Sequence, residues 1–195
     1  MSTETTDEII AATGRALCEY GYADLTMQRI AKESSLTTAA IHYHFDTKSE
    51  LLNAFLDDLV ERFQARLACE ADDPRERLTT FVDAVFTPST KEDDFPVALM
   101  ELKAQAPYND GSRERFCDLD DVMRRVVATA VRDGIDAGHF DEADPEAVAR
   151  LVVTTINGAH VRRVALGENG DETRATVERY LELQLGWTPN SAVTA

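Results

Sequence analysis

Residues 26–48 read TMQRIAKESSLTTAAIHYHFDTK. Thr26 and Thr37 each stand before a short run with helical apolar spacing, as N-caps do, because their hydroxyls can accept from backbone N–H groups of the first turn. The spacing predicts one helix from Thr26 to about Ser34, with Met27, Ile30 and Ala31 facing inward. It predicts a second from Thr37 to about His44, with Glu33-Ser34-Ser35-Leu36 between them. Two short helices joined by so tight a turn form a helix-turn-helix. At 100° per residue the second helix has two sides. Ile41, Ala40 and His44 share the one that packs on the first helix, while Thr38, Ala39, His42 and Tyr43 share the other. That outer side is small at its start and aromatic and hydrogen-bonding at its end. Small residues there let the backbone come close in a major groove. The first-turn N–H groups above Thr37 can face a phosphate, and Lys48 begins the next helix within reach of another.

Outward from this segment the chain reads as helix throughout. No stretch alternates apolar and polar residues as a half-buried strand must. Thr5-Thr6-Asp7-Glu8 is a capping-box pattern ahead of Ile9, Ile10, Gly14 and Leu17, and Gly21-Tyr22 reads as a glycine stop. Thr47-Lys48-Ser49-Glu50 is a second capping box, opening a helix with Leu51, Leu52, Phe55, Leu56, Leu59 and Phe63 that reaches about Cys69. Asp73-Pro74 and Asp144-Pro145 place a cap before a first-turn proline. Helices follow over about 75–87 and 145–166, with others at about 95–106, 112–137 and 171–185. The expectation is an all-α chain of about nine helices: a helix-turn-helix head over 1–48, a helical body over 49–187 and a frayed tail over 188–195.

The 195 residues carry 36 acidic and 20 basic side chains, a formal net charge of −16. By type these are 16 Arg, 4 Lys, 19 Asp and 17 Glu. Abundant carboxylates with few lysines are the pattern of proteins in salt-loaded cytoplasm; an acidic protein from a GC-rich genome would also favour Arg. Residues 1–50 hold four basic and eight acidic residues, the wrong sign for a polyanion. The expected contact edge nonetheless holds Arg29, Lys32 and Lys48, while Asp7, Glu8 and Glu19 lie on the first helix. In molar salt, screening shrinks to about 3 Å, so distant carboxylates repel DNA little and local hydrogen bonds decide. Three cysteines, Cys18, Cys69 and Cys117, are too few and scattered for a disulfide scaffold or zinc site. No apolar run nears bilayer length, and MSTETTDEII is not a signal peptide. A cytoplasmic protein is expected, with no membrane partner, metal or cofactor.

The stretch Gly21–Leu52 resembles the DNA-binding segment of TetR-family transcriptional regulators. The resemblance rests on Gly21, Tyr22, Leu25, Thr26, Ile30, Ala31, Leu36, Thr37, Ile41, Tyr43, Phe45, Lys48 and Leu51, with about 140 helical residues afterwards. It implies a homodimer binding a near-palindromic double-stranded DNA operator, and a repressor released by a small-molecule inducer, partly apolar in character. It places Thr26 and Gln28 at backbone and base, and Thr38, Ala39 and Ala40 at the base-facing start of the recognition helix. His42 and Tyr43 would meet phosphate or thymine methyl groups, and Lys48 would anchor a phosphate. Three residues depart from the family pattern: Ser35 for a turn glycine, Thr38-Ala39 for Lys-Gly or Arg-Gly, and His42 for Tyr. Base preference is thus open, and Ala39 and Ala40 offer only methyl contacts.

In the body, Phe86, Phe95, Leu99, Met100, Phe116, Met123 and Val127 can converge as a pocket, with Lys103, Asn157 and His160 as polar neighbours. Ordinary core is the alternative for each. The resemblance places the dimer interface on the last two helices, where Val152, Thr155, Ile156, Ala159, Val177, Tyr180, Leu181 and Gln184 form apolar or small faces; burial within one chain is the alternative. An enzyme is not expected, because no nucleophile–base set, phosphate-cradling loop or metal-spaced cluster appears. An interaction module with a degenerate head is the remaining alternative.

Overall fold

The computed structural model describes residues 3–68, 71–87 and 95–188. Within them lie nine α-helices: α1 (Thr3–Asp24), α2 (Met27–Lys32), α3 (Thr38–His44), α4 (Lys48–Leu67), α5 (Pro74–Phe86), α6 (Phe95–Gln105), α7 (Asp110–Asp136), α8 (Pro145–Leu166) and α9 (Asp171–Leu185). A 3-10 turn over Ala106–Tyr108 joins α6 to α7, and no strand occurs among the described residues. The tail expected over 188–195 lies, from 189 onward, outside the described residues.

The cap chemistry read from sequence sets most of these boundaries. Thr26 Oγ1 accepts from the Arg29 amide at 3.2 Å, and Thr37 Oγ1 from the Ala40 amide at 3.2 Å. Thr47 Oγ1 accepts from Glu50 N at 3.1 Å, while Glu50 Oε2 reaches back to the Asp46 amide at 3.0 Å, one residue beyond the usual capping-box partner. Asp73 caps Arg75, and Asp144 caps Glu146 and Ala147. One start differs. Helix α1 begins at Thr3, ahead of the Thr5 cap, and is interrupted at Gly21 before a last short stretch to Asp24. Gly21 itself sits at φ 69°, ψ 168°, a conformation open essentially to glycine alone. The first helical run therefore stops at Gly21, as the glycine stop read from the sequence requires.

The chain divides into two compact units. Residues 1–63 and 90–118 make the first, so α6 and the start of α7 share a unit with the expected head. Its core gathers Ile9, Leu17, Ile30, Ile41, Leu51 and Leu56, each at most 1% exposed, with α1 packed on both α2 and α6. Burying each such side chain contributes about 1.5–3 kcal/mol. Polar ties stitch the start of α7 to α4. Arg115 donates to the Asn53 carbonyl at 3.0 Å and pairs with Asp57 at 2.7 Å, while Asn109 Nδ2 donates to Ser49 Oγ at 2.8 Å.

The second unit takes residues 64–89 and 119–195. Helix α9 packs on α5 and α8. Trp187, 1% exposed, donates its indole N–H to the Arg75 carbonyl at 3.2 Å and so pins the end of the described chain. Phe140 folds flat against Gly134, where an added Cβ would sit 2.0 Å from the ring. No described helix is long and apolar enough to cross a membrane.

Candidate nucleic-acid interface

Helices α2 and α3 are too short to be stable alone. Their geometry comes from anchors on α1. Ile30 and Ile41, both fully buried, drive the inner faces of the two helices into the core. In the turn, Ser34 Oγ donates to the Ala31 carbonyl and accepts from the Leu36 amide, each at 3.1 Å. Ser35 donates its amide (2.9 Å) and its hydroxyl (2.7 Å) to Glu8 Oε1 of α1. These bonds hold the Glu8 carboxyl below its ordinary pKa. They also account for the missing turn glycine. Positive φ among the described residues is confined to glycines, so the backbone at Ser35 needs none.

The outer face follows the sequence reading closely. Gln28, Thr37, Ala39, His42 and Tyr43 are exposed, Tyr43 at 80%. Thr26 is exposed beside its cap bond, and Thr38 and Ala40 are half-buried. His44 turns inward and stacks its edge on Tyr43, with ring centroids 5.4 Å apart.

The cations of the head are arranged differently from a free basic edge. Lys48 donates from Nζ to the carbonyls of Tyr22 (3.0 Å) and Leu25 (3.1 Å) and lies 4.4 Å from the Tyr22 ring centroid. Burial pushes its pKa down. Two of its three N–H donors are thus already engaged. Arg29 donates to the Asp24 carbonyl at 2.7 Å, pairs with the Asp24 carboxylate at 3.6 Å and covers the Tyr20 ring at 4.8 Å. Arg15 donates to the Glu33 carbonyl at 2.6 Å. Among the described residues of 3–50, Lys32 is the one cation without such a bond, and it is exposed. The sequence placed Arg29, Lys32 and Lys48 together on the contact edge; two of these three tie α1, α2 and α4 together.

Spacing gave no signal for Glu101. From α6 it accepts the Tyr22 amide at 2.6 Å, directly after the Gly21 break, where an added Cβ would stand 3.1 Å from that carboxylate. Gly21 lets the chain turn, Glu101 satisfies the donor the turn releases, and Lys48 takes the carbonyls beyond.

The other expected sites are distributed as follows. Phe95, Leu99, Met100, Lys103 and Phe116 belong to the first unit; Phe86, Met123, Val127, Asn157 and His160 belong to the second. Phe95 and Phe116 pack against the head core, and the Lys103 ammonium lies 5.9 Å from the Phe116 ring centroid. Met123 and Val127 are buried, and Asn157 donates to the Val153 carbonyl at 3.2 Å. On α8 and α9, Val152, Val177 and Leu181 are at most 2% exposed, so they are core of this chain. That corrects their assignment to a free face: the apolar stripes of α8 and α9 are consumed against each other and α5. The exposed apolar residues are Leu151, Val161, Leu166 and Leu183. Thr155 and Ala159 line an open groove with Gly158, Arg162, Thr173 and Thr176. Ile156 and Tyr180 are half-buried and Gln184 is exposed.

Comparison with known proteins agrees with this geometry. Residues 9–55 match the family of bacterial regulatory proteins of the TetR type, and residues 74–186 match the C-terminal part of BetI-type transcriptional repressors. The BetI regulator of Stenotrophomonas maltophilia is 34% identical over 87 residues, 43% of this chain and 44% of that protein. The crystal structure of a TetR regulator from Haloarcula marismortui superposes with a TM-score of 0.88 at 41% identity, over 94% of this chain and all of that one. A transcriptional regulator from Saccharomonospora viridis in complex with choline shares the fold, with a TM-score of 0.84 at 23% identity, over 94% and 98% of the two chains. The chain belongs to the TetR family of transcriptional regulators, with a DNA-binding helix-turn-helix near its N-terminus and a BetI-type C-terminal part.

Proposed function

We propose that this chain is a cytoplasmic, homodimeric repressor that leaves a near-palindromic operator when a small molecule binds its body. The exposed outer face of α3, held rigid by the Glu8, Glu101 and Lys48 anchors, is the observation that carries the reading. Residues 1–48 act as the DNA-binding head and 49–187 as the ligand-binding and dimerisation body. Gln28, Thr38, Ala39, Ala40, His42 and Tyr43 meet the groove, Thr26 and Thr37 meet the backbone, and the third N–H of Lys48 reaches a phosphate. The dimer forms on the exposed side of α8 and α9, through Leu151, Val161 and the small residues of the groove at Thr155, Gly158 and Ala159. This side supports a C2 interface because its small residues allow close helix approach. The ligand is a quaternary ammonium compound of the choline type. Support comes from the BetI-type match of the C-terminal part and from the similar fold seen with choline.

Selection of bound sequences from random duplex DNA, run in molar KCl, tests the reading. Enrichment of a near-palindrome, with two chains per duplex by sedimentation and release on adding choline, is expected. A monomer that enriches nothing at any salt would overturn it. It would favour an interaction module instead, which the engaged cations of the head would also suit. Enrichment that choline leaves untouched would remove only the ligand class.

A further inference from the structure

The reading face of the head has no free guanidinium fork. Contact from Arg or Lys to guanine O6 and N7 is the commonest specific major-groove contact, and Arg presents it as a planar fork. Both arginines of the head, Arg15 and Arg29, are spent on the Glu33 and Asp24 carbonyls. Lys48 has two of its donors on carbonyls. Lys32 is exposed and is left for a phosphate; what else remains exposed for base reading is an amide on Gln28, a methyl on Ala39, an imidazole on His42 and a phenol on Tyr43. An amide matches adenine, whose N6–H2 donor and N7 acceptor it can meet together. A methyl matches only the thymine methyl. His42 can donate to N7 of either purine and so discriminates little. Ala39 and Tyr43 are four residues apart on α3, hence on one side, so the ring flanks the methyl.

Resting on the operator reading above, we infer that each half-site is read through A·T pairs, with adenine opposite Gln28 and a thymine methyl opposite Ala39. Neither residue is buried, so both can be changed without opening the core. The Glu8 and Lys48 anchors hold both reading elements on α1, so the amide and the methyl arrive in a fixed register. Discrimination is then by hydrogen-bond pattern and methyl contact, which survive high salt. Guanine reading by a charged fork would bring ionic-strength dependence with it.

The test selects sites from random duplex DNA with the full-length protein and with Gln28→Arg, in molar KCl. The wild-type consensus is expected to hold A·T pairs at both positions. Gln28→Arg is expected to change the facing adenine to guanine and leave the other columns alone. Replacing the thymine facing Ala39 by deoxyuridine is expected to weaken wild-type binding by about fourfold, and to cost Ala39→Gly nothing. A wild-type consensus with G·C at both positions would overturn the inference. So would an unchanged Gln28→Arg consensus, or indifference to the missing thymine methyl. Failure of the wild-type protein to enrich any site would overturn the operator reading itself, and this inference with it.

Discussion

Ionic strength is the perturbation that the head's charge arrangement makes most informative. Of the four cations in residues 1–50, three are tied to backbone carbonyls within the head and only Lys32 is unengaged. With Lys32 and the third Lys48 donor each on a phosphate, a dimer neutralises about four phosphates, two per head. The slope of log K against log salt is about −0.9 per phosphate, hence about −3.6 here, of which Lys32 supplies about −1.8. From 0.1 to 1 M KCl, affinity is expected to fall about 4,000-fold. A site making six phosphate contacts would lose about five orders of magnitude over the same range. Fluorescence anisotropy with a selected operator, titrated at six KCl concentrations, measures it. Lys32→Gln should flatten the slope by about 1.8 units per dimer. A wild-type slope of −5 or steeper, or one that Lys32→Gln leaves unchanged, would refute the reasoning.

Three further outcomes follow from particular contacts. Lys48→Met keeps the stem but leaves the Tyr22 and Leu25 carbonyls without their charged donor, and should lower unfolding stability by about 2 kcal/mol in a urea titration. Gly21→Ala forces a Cβ into a backbone region reserved for glycine and toward the Glu101 carboxylate, and should cost about 1–3 kcal/mol by the same assay. Asp73 has its pKa lowered to about 2, first by its side-chain hydrogen bonds with Arg75 and then by the Arg75 amide. Because the folded pKa lies below the unfolded one, this stabilisation is present above about pH 4 and lost as pH falls toward 2. Urea titrations of wild type and Asp73→Asn should therefore differ at neutral pH and converge near pH 2.

Local chemistry explains how much was legible. Thr26, Thr37, Thr47, Asp73 and Asp144 cap helices through bonds that span two or three residues, so adjacent letters suffice to place them. The two sides of α3 were equally readable, because burial of Ile41 and exposure of Tyr43 follow from helical period alone. Long-range partners were not readable. Ser35 finds Glu8 across 27 residues and Tyr22 finds Glu101 across 79, and no periodicity announces either pairing. The arginines mislead for the same reason: Arg29 looks like a phosphate contact until its guanidinium is seen on Asp24 and Tyr20. Helix α8 has apolar residues on more than one side. From sequence, Val152 could face a partner chain as well as its own α9; the structure gives it to the core and leaves Leu151 outside.

Hydroxyl-radical footprinting of the full-length protein on a selected duplex, in 2 M KCl, bears most directly on the central claim that a head with few free cations still reads a specific operator as a two-fold pair. Two protected patches are expected, centred about one helical turn, roughly 10 base pairs, apart, or a multiple of it. Both should vanish together in Tyr43→Ala. A single patch, uniform protection along the duplex, or a footprint that Tyr43→Ala leaves intact would contradict it.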